Sequence, residues 1–304
     1  MVKITVFTPT YNRSKYLERI FECLSKQTNM NFVWLIIDDG STDDTKERVN
    51  YFKKNAKFKI NYYYKKNGGK HSAHNTAVNL CKTDYFLILD SDDYLEVNSI
   101  EILNNYIKLI DNDNKISGII GNRFNIDNKS VIGRELPNIK FASGIELYQK
   151  YQFVGDTLRM YKTDILKKNL FPIIPNEKFV YENVVFDKID AYYKMLVIHD
   201  KLYFGEYLND GYTKKSKILK IKNPIGYALS LYSSARYSLL IRKKFNMYIL
   251  YFIWIDKMNL SVNVNKWLKF FYYPFYKLLE ILKYPKFFFE LFDLRRELEN
   301  EEKN

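Results

Sequence analysis

The sequence contains Tyr85-Phe86-Leu87-Ile88-Leu89-Asp90-Ser91-Asp92-Asp93, an apolar run that ends in a cluster of aspartates. The run predicts a buried strand, so the aspartates come at a strand's carboxyl end, where open α/β sheets bind ligands. Side chains alternate along a strand, and Asp90 and Asp92 would share one face if the extended conformation continues. Two such carboxylates suit a hard divalent cation that bridges phosphate oxygens. The alternative, a solvated turn in which one aspartate caps the next helix, stays open at this point.

Strand-like and helix-like segments alternate through the first 125 residues. The predicted strands are Lys3–Thr8, Phe32–Asp38, Phe58–Tyr64, Asp84–Asp90 and Ile116–Asn122, and the predicted helices are Ser14–Gln27, Thr42–Lys53, Lys70–Cys81 and Val97–Asp111. This rhythm predicts an α/β fold with right-handed βαβ units and a mostly parallel central sheet flanked by helices. The pattern loosens after about residue 125, and from about Pro224 the chain is helix-like and rich in aromatic residues.

The charge balance narrows the classes of partner. The 304 residues include 48 Lys and Arg against 35 Asp and Glu, a net charge of +13. Such a balance favours nucleic acid, an acidic lipid surface or a phosphorylated small molecule. The basic residues are spread along the chain without a nucleic-acid recognition motif, so we expect no nucleic-acid partner. No G-x-G-x-x-G segment follows the first predicted strand, which argues against a nicotinamide dehydrogenase.

Polar turns follow three of the predicted strands, and a glycine-rich loop adds to them. The turns are Thr8-Pro9-Thr10-Tyr11-Asn12-Arg13, Asp38-Asp39-Gly40-Ser41-Thr42-Asp43 and Asp90-Ser91-Asp92-Asp93, and the loop is Asn67-Gly68-Gly69-Lys70. In a parallel sheet the turns lie at one edge, so they converge on one crevice. Tyr11 can stack on a nucleotide base, and Asp38 or Asp39 can accept from a base N–H. The loop offers free backbone amides and an ammonium group ahead of a helix, which suits a pyrophosphate.

These motifs, in this order and spacing, resemble family 2 glycosyltransferases with the GT-A fold. The resemblance is good over about residues 3–125, where it also includes His71 and Asn75, and it continues more weakly to about residue 215. It implies a GT-A catalytic domain over residues 1–215, with a nucleotide-binding half at 1–125 and an acceptor half at 126–215. Residues 216–304 would then form a helical, aromatic-rich C-terminal region.

The resemblance also implies a role for each motif. The nucleotide-binding residues would be Thr8, Pro9, Tyr11, Arg13, Asp39, Lys70, Asp90 and Ser91. Among them, Asp39 would contact the base and Lys70 the diphosphate or the donor sugar. Asp92 would ligate Mn²⁺ or Mg²⁺, the expected cofactor. In this family the reaction is inverting: an acceptor hydroxyl attacks the anomeric carbon of a nucleotide-sugar, and a UDP-sugar is favoured by the resemblance only.

A carboxylate must take the proton of the attacking hydroxyl. Many relatives carry Glu-Asp at the start of the helix after the acceptor loop, whereas this chain has Glu182-Asn183. We expect Glu182 to be this base, because it lies at a predicted helix N-terminus; the alternative is that it only favours the helix dipole. Asp156, after Gly155, matches a position that lines the acceptor side in similar sequences, and Asp187 is a second candidate base.

The last third of the chain alternates aromatic clusters with lysines. Examples are Asn265–Pro274 and Tyr284–Phe289, and upstream lysines are Lys214, Lys215, Lys217, Lys220 and Lys222. Rings at headgroup depth with ammonium groups on anionic lipid are typical of an in-plane interfacial helix. The alternative is a helical subdomain that packs its aromatics on the catalytic domain or on a second copy, so a homo-oligomer is compatible with the sequence.

The sequence also leads to an expected cellular location of the protein and an expected reaction. No signal peptide is visible, and no apolar stretch reaches the roughly 18 residues needed to span a bilayer. We expect a cytoplasmic enzyme, peripherally associated with the inner face of the cell membrane. It would transfer a sugar to a saccharide or lipid-linked saccharide acceptor in surface-polysaccharide biosynthesis. The alternatives are a catalytically inactive glycosyltransferase-like membrane scaffold and, less favoured, a nucleic-acid-binding protein.

Overall fold

A computed structural model describes residues 2–206 and 216–281. Main-chain contacts divide these residues into two compact units. Residues 2–171 and 188–206 form the first unit, and residues 172–187 and 216–281 form the second. The domain boundaries predicted at residues 125 and 215 stay predictions.

The first unit is built on a mixed sheet. Its strands are β1 (Ile4–Thr10), β2 (Phe32–Asp38), β3 (Lys59–Tyr64), β4 (Tyr85–Ile88), β5 (Tyr94–Leu95), β6 (Ile116–Asn125), β7 (Phe141–Ala142), β8 (Thr157–Lys162) and β9 (Lys194–Gly205). The strand order is β3-β2-β1-β4-β8-β6-β9-β5, and β7 pairs with β9. The part β3-β2-β1-β4 is parallel, as predicted, and β6 is parallel to β9. The antiparallel ladders are those of β8 with β4 and β6, and of β5 and β7 with β9.

Helices alternate with strands along most of the first unit. They are α1 (Ser14–Ser25), α2 (Thr45–Asn55), α3 (Lys70–Leu80), α4 (Ser99–Ile110), α5 (Gly144–Gln149) and α6 (Thr163–Lys167), and α7 (Asn183–Asp190) contains residues of both units. In α1 the buried residues Leu17, Ile20 and Leu24 recur every three or four positions, so one stripe of the helix faces the core.

The strand β2 illustrates the core. Its apolar run is buried along almost its whole length, as expected for a strand covered on both faces. Trp34 is fully buried and packs against Phe52 of α2, with ring centroids 6.0 Å apart. Its indole N–H donates to the hydroxyl of Thr8 at 3.0 Å, which satisfies both buried polar groups.

The second unit contains aromatic-rich helices, as predicted for the C-terminal region. They are α8 (Ser216–Lys222), α9 (Pro224–Tyr237), α10 (Ile241–Lys257) and α11 (Lys266–Ile281). Ala228, Phe252 and Tyr276, one from each of α9, α10 and α11, share a buried cluster. None of the helices in the described ranges combines the length and hydrophobicity needed to cross a bilayer. The predictions for Lys214, Lys215 and Tyr284–Phe289 fall outside those ranges.

Candidate active site

The turns after β1, β2 and β4 lie at one edge of the sheet. The strand β1 pairs in parallel with β2 on one side and with β4 on the other. Their carboxyl ends therefore point the same way, and the convergence predicted from the sequence is confirmed. Four motifs meet there: turn 1 (residues 8–13), turn 2 (residues 38–43), the glycine loop (residues 67–70) and the aspartate turn (residues 90–93).

Turn 1 is hydrogen-bonded to turn 2 through Asn12. The Asn12 backbone N–H donates to the Ser41 hydroxyl at 2.9 Å, and the Asn12 side-chain oxygen accepts from the Thr42 N–H at 2.7 Å. Asn12 has φ 51°, a conformation that Asn tolerates better than most residues. The helix α2 begins at Thr45, three residues later than predicted.

Turn 2 holds the glycine loop through Asp39. The buried Asp39 carboxylate accepts from the backbone N–H of Gly68 at 3.0 Å and of Gly69 at 2.6 Å. The ammonium of Lys65 lies 2.6 Å from the same carboxylate. The expectation that these two amides are free for a pyrophosphate is therefore wrong for this structure, because an internal carboxylate already binds them.

Two further contacts keep turn 2 close to the loop. Gly40 has φ +93°, and a Cβ at this position would lie 2.9 Å from the backbone nitrogen of Asn67. The Asn67 side chain donates to the Asp39 carbonyl at 2.8 Å.

The neighbouring Asp38 is buried and accepts from the Ser41 N–H and the Tyr62 hydroxyl. Burial and this bond to Asp38 raise the pKa of Tyr62. Asp38 therefore supports the turn from inside.

The aspartate turn contacts both the glycine loop and turn 1, so the four motifs form a closed ring. The Lys70 ammonium, at the start of α3, lies 2.8 Å from the Asp90 carboxylate. The Arg13 guanidinium of turn 1 lies 3.2 Å from the Asp92 carboxylate. The four motifs are thus joined in the order turn 1, turn 2, glycine loop, aspartate turn, turn 1. We call this arrangement the motif ring.

The backbone of the aspartate turn corrects one expectation. The N–H of Asp93 donates to the carbonyl of Asp90 at 3.1 Å, so the chain turns after β4 and the extended conformation does not continue. Asp90 and Asp92 therefore do not share the face of a strand. The carbonyl of Asp92 accepts from Arg19, which fixes the turn against α1.

The remaining nucleotide-binding candidates differ in exposure. Tyr11 is 49% exposed, so its ring is accessible at the sheet edge. Thr8 is fully buried and its hydroxyl accepts from Trp34, so this side chain lies in the core beneath the edge. Ser91 is buried in the aspartate turn, and Pro9 lies within β1. Their predicted contacts with a nucleotide stay predictions.

Arg123, near the end of β6, is a site residue that the sequence does not reveal. Its guanidinium lies 2.6 Å from the Asp93 carboxylate and 2.8 Å from the Asp156 carboxylate. Arg123 and Asp93 are both buried, and Tyr203 of β9 also donates to Asp93. Burial raises the pKa of Asp93, and the charge of Arg123 opposes this rise. The arginine therefore compensates a buried carboxylate next to the aspartate turn.

Gly205 shows how tightly this arginine is packed. A Cβ on Gly205 would lie 1.9 Å from an Asp93 oxygen and 2.3 Å from an Arg123 nitrogen. Any larger residue at this position would have to displace the ion pair. The end of β9 is thus part of the support of the aspartate turn.

The two candidate catalytic carboxylates lie in different units. Asp156 precedes β8 in the first unit, and its side chain is 49% exposed while it binds Arg123. Glu182 is exposed in the second unit, directly before α7. The next residue, Asn183, donates to the Ser230 carbonyl at 3.0 Å and the Ser234 hydroxyl at 2.9 Å. These contacts fix the start of α7, directly after Glu182.

A second carboxylate of this unit caps α9. Glu177 accepts from the N–H groups of Ile225 at 2.8 Å and Gly226 at 2.7 Å. Negative charge at a helix N-terminus is favourable, and the bonds satisfy two otherwise unpaired donors. Glu177 thus has a structural role, whereas the role of Glu182 as a base stays a prediction.

Two histidines of α3 lie in the core. His74 packs edge-on against Phe7, Phe86 and Phe171, with ring centroids 5.1 to 5.8 Å apart. Burial lowers the pKa of His74 to about 3 and also lowers the pKa of His71. Both imidazoles are therefore neutral at physiological pH, in agreement with a structural role for His74.

The aspartate turn has the chemistry of a cation site but holds basic side chains here. Carboxylate oxygens are the donors that Mg²⁺ and Mn²⁺ prefer, commonly together with substrate phosphates. Within the described ranges, no group of three or more His, Cys, Asp or Glu side chains is arranged to hold a metal ion. Asp90 and Asp92 would supply carboxylate oxygens to such an ion, together with oxygens from a bound diphosphate.

Comparison with known proteins shows the class to which the chain belongs. Residues 5–170 match the model of the family described as glycosyl transferase family 2. This match covers more than half of the chain, so the protein belongs to that family. The expectation drawn from the four motifs is confirmed.

Individual proteins add detail to this assignment. The chain is 32% identical over 177 residues to poly(ribitol-phosphate) β-N-acetylglucosaminyltransferase TarP of Staphylococcus aureus (strain N315), a match that covers 56% of this chain and 51% of TarP. Across curated relatives such as TarP, the chain covers 14% to 51% of the relative's own length.

Two solved structures share the fold. The first is S. aureus TarS 1–349 in complex with UDP-GlcNAc, with a TM-score of 0.55, 17% identity, and coverage of 84% of this chain and 83% of that chain. The second is the mannosyltransferase PcManGT from Pyrobaculum calidifontis in complex with GDP-Man and Mn²⁺, with a TM-score of 0.54, 15% identity, and coverage of 84% and 73%. At these identities the likeness shows the fold alone, and the predicted GT-A fold is confirmed.

Proposed function

We propose that this protein transfers a sugar from a nucleotide-sugar, with a UDP-sugar as the expected donor, to a saccharide or lipid-linked saccharide acceptor. The observation that carries the proposal is the motif ring, which brings polar groups of four separate segments to one sheet edge. TarP is named as an N-acetylglucosaminyltransferase and TarS binds UDP-GlcNAc, which supports a UDP-sugar and a role in polysaccharide biosynthesis.

The charges of the motif ring suit a diphosphate. Arg13 and Lys70 form ion pairs with Asp92 and Asp90. With a donor present, we expect these cations to bind phosphate oxygens instead. Asp92, together with Asp90, would hold Mn²⁺ or Mg²⁺, which when bound would neutralise charge on the departing diphosphate. The Mn²⁺ in PcManGT supports this part of the proposal.

The expected reaction proceeds with inversion in a single displacement. The acceptor hydroxyl oxygen forms a bond to the anomeric carbon while the bond from that carbon to the diphosphate oxygen breaks. The electron pair of the broken bond leaves with the nucleoside diphosphate. Glu182 takes the hydroxyl proton, which requires its carboxylate to be ionised before transfer.

Donor binding tests the proposal directly. We would measure thermal unfolding with UDP, GDP, UDP-sugars and GDP-sugars, each with Mn²⁺ or with a chelator. A ligand that binds the folded state raises Tm, by an amount that grows with its concentration relative to Kd. We expect a UDP-sugar to raise Tm with Mn²⁺ present. Asp92→Asn should remove this shift, whereas Asp127→Asn, an exposed aspartate outside the motif ring, should keep it.

Two outcomes would contradict the proposal. One is an equal shift with chelator and in Asp92→Asn, which would remove the role of the cation. The other is the lack of a shift with every nucleotide, which would favour the inactive scaffold. The anomeric configuration of the product, read by NMR, decides between inversion and retention.

A further inference from the structure

The helix α11 has two different faces. Tyr276 on one face is fully buried, and Tyr272 and Tyr273 pack beside it against α10. Large apolar side chains on the opposite face are 51% to 71% exposed: Trp267, Phe270, Phe271, Phe275 and Leu278. Their spacing of three, one, four and three residues places them on one stripe of the helix. We call this stripe the α11 face.

An exposed stripe of this kind indicates a binding surface. Single exposed apolar residues are ordinary, but contiguous exposed apolar patches mark sites for a protein, a ligand or a membrane. Trp and Phe are the residues that peripheral proteins place at headgroup depth. The composition of the α11 face therefore fits a lipid surface.

Lysines line one flank of the α11 face. Lys266, Lys269 and Lys277 follow one another at three and eight residues, so they lie on the same side of the helix. The ammonium groups of Lys269 and Lys277 lie 5.4 and 5.5 Å from the ring centroid of Tyr273, and that of Lys277 also lies 3.8 Å from the Asp256 carboxylate. Cations along one side of an apolar stripe are complementary to anionic headgroups around inserted rings.

The start of α10 extends the same chemistry. Leu239, Leu240 and Ile241 are exposed, with Ile241 at 86%, and Arg242, Lys243 and Lys244 follow them. The ring of Phe275 on the α11 face lies 5.3 Å from Phe245, which is one helical turn beyond Ile241. Residues 241–281 contain seven basic and two acidic side chains. The apolar surface is thus continuous with a basic segment.

We propose that the α11 face binds the surface of a membrane that contains anionic lipids, with its rings among the headgroups and α11 in the plane of the surface. A second copy of the chain is less suited as the occupant, because lysine is depleted at protein interfaces and two such flanks would repel each other. The proposal goes beyond the transfer reaction and does not depend on it.

The tryptophans provide the test. The chain has three; Trp34 and Trp254 are buried, and Trp267 on the α11 face is 71% exposed. We would titrate the full chain with phosphatidylcholine vesicles that contain or lack 30% phosphatidylglycerol. With anionic vesicles, the Trp emission of the wild type should shift to shorter wavelength and be quenched by brominated acyl chains. The Trp267→Phe variant should show neither signal. It should still bind vesicles in a flotation assay. Binding should be about tenfold or more tighter on anionic than on neutral vesicles, because lysines contribute only there.

Matched variants separate this proposal from its alternatives. Phe270→Ser with Phe271→Ser should weaken vesicle binding at least about tenfold, because two rings that enter the lipid surface on binding are lost. Lys266→Gln with Lys269→Gln should reduce the preference for anionic vesicles. Tyr192→Ser, an aromatic residue of the first unit that is 72% exposed, should bind as the wild type does. Circular dichroism confirms that each variant is folded.

Three results would overturn the proposal. Unchanged Trp267 emission with both vesicle types is the first, and vesicle binding by the Phe270/Phe271 variant at wild-type strength is the second. The third is a dimer in sedimentation analysis that the same variant dissociates while vesicles bind neither protein. That result would assign the α11 face to a second copy of the chain.

Discussion

The guanidinium of Arg123 lies 2.6 Å from the buried carboxylate of Asp93, which directly follows Asp92, the residue that we propose as the cation ligand. The same guanidinium reaches the half-exposed Asp156 at 2.8 Å. One side chain therefore joins the aspartate turn to a carboxylate that the resemblance places on the acceptor side. We expect the position of the turn to depend on this arginine.

Replacing Arg123 tests that dependence. Arg123→Gln leaves Asp93 buried without its counter-charge, and breaking a buried pair from one side costs about 3–5 kcal/mol of unfolding free energy. We expect the transfer rate of the folded fraction to fall, since the aspartate turn loses its support. Urea unfolding and kcat measurements check both effects. Arg134→Gln, an exposed arginine, should leave both near wild type, and an unchanged kcat in Arg123→Gln would show that the turn needs no such support.

Gly40→Ala tests the contact between turn 2 and the glycine loop. The positive φ of Gly40 and the 2.9 Å approach of a Cβ to Asn67 make alanine strained there, by about 1–3 kcal/mol. We expect Kd for the nucleotide to rise about tenfold for a loss of about 1.4 kcal/mol. Calorimetric titration measures it.

Gly133→Ala is the control for this prediction. Gly133 also has positive φ, at +94°, and a Cβ there would meet the Val154 carbonyl, outside the four motifs. This variant should lose stability and keep the wild-type Kd in its folded fraction. Equal effects of both variants on Kd would mean that strain acts only through global stability.

Glu182→Gln separates binding from chemistry. The amide cannot accept the hydroxyl proton, so we expect kcat to fall by two or more orders of magnitude, as is typical for a lost general base. Donor-induced thermal shifts should stay as in the wild type. Glu135→Gln, another exposed glutamate, should keep full turnover. Wild-type turnover in Glu182→Gln would shift the assignment to Asp187 or Asp156.

The buried His74 should lower the stability of the folded protein in mild acid. Its folded-state pKa is about 3, whereas an unfolded histidine titrates near 6.5, so the unfolded chain binds an extra proton between these values. The folded state therefore loses stability as pH falls from about 6.5, by about 2 kcal/mol at pH 5 from this residue.

Comparison with His74→Leu isolates that contribution. Urea unfolding at pH 7.5 and pH 5 gives the change in free energy for each protein. The change should be about 2 kcal/mol smaller in His74→Leu, even if the variant is less stable at both pH values. Equal changes in the two proteins would mean that His74 is not the titrating group.

The four motifs could be predicted because each follows a recognisable element. The apolar runs of β1, β2 and β4 are long enough to be read as strands, and in parallel strands the residues after them must meet at one edge. The helices α1 and α3 begin at Ser14 and Lys70, as the sequence predicts.

Contacts between distant residues could not be predicted. The predicted strand ends at Asn122, and the next residue, Arg123, has partners 30 and 33 positions away. A single arginine after an apolar run gives no local sign of burial. The antiparallel insertion of β8 between β4 and β6 could not be predicted either, because periodicity predicts a strand but not which strands it pairs with. The aspartate turn differs from the predicted extension because one backbone hydrogen bond, from Asp93 to Asp90, bends it.

The motif ring also limits how this protein can be re-engineered. Asn12 is hydrogen-bonded to Ser41 and Thr42, and Asp39 to the two glycine amides. The aspartate turn forms ion pairs with Arg13 and Lys70. A single loop transplanted from another family member would arrive without its partners in the adjoining loop. Chimaeras designed to change donor preference should therefore exchange neighbouring loops together as one block.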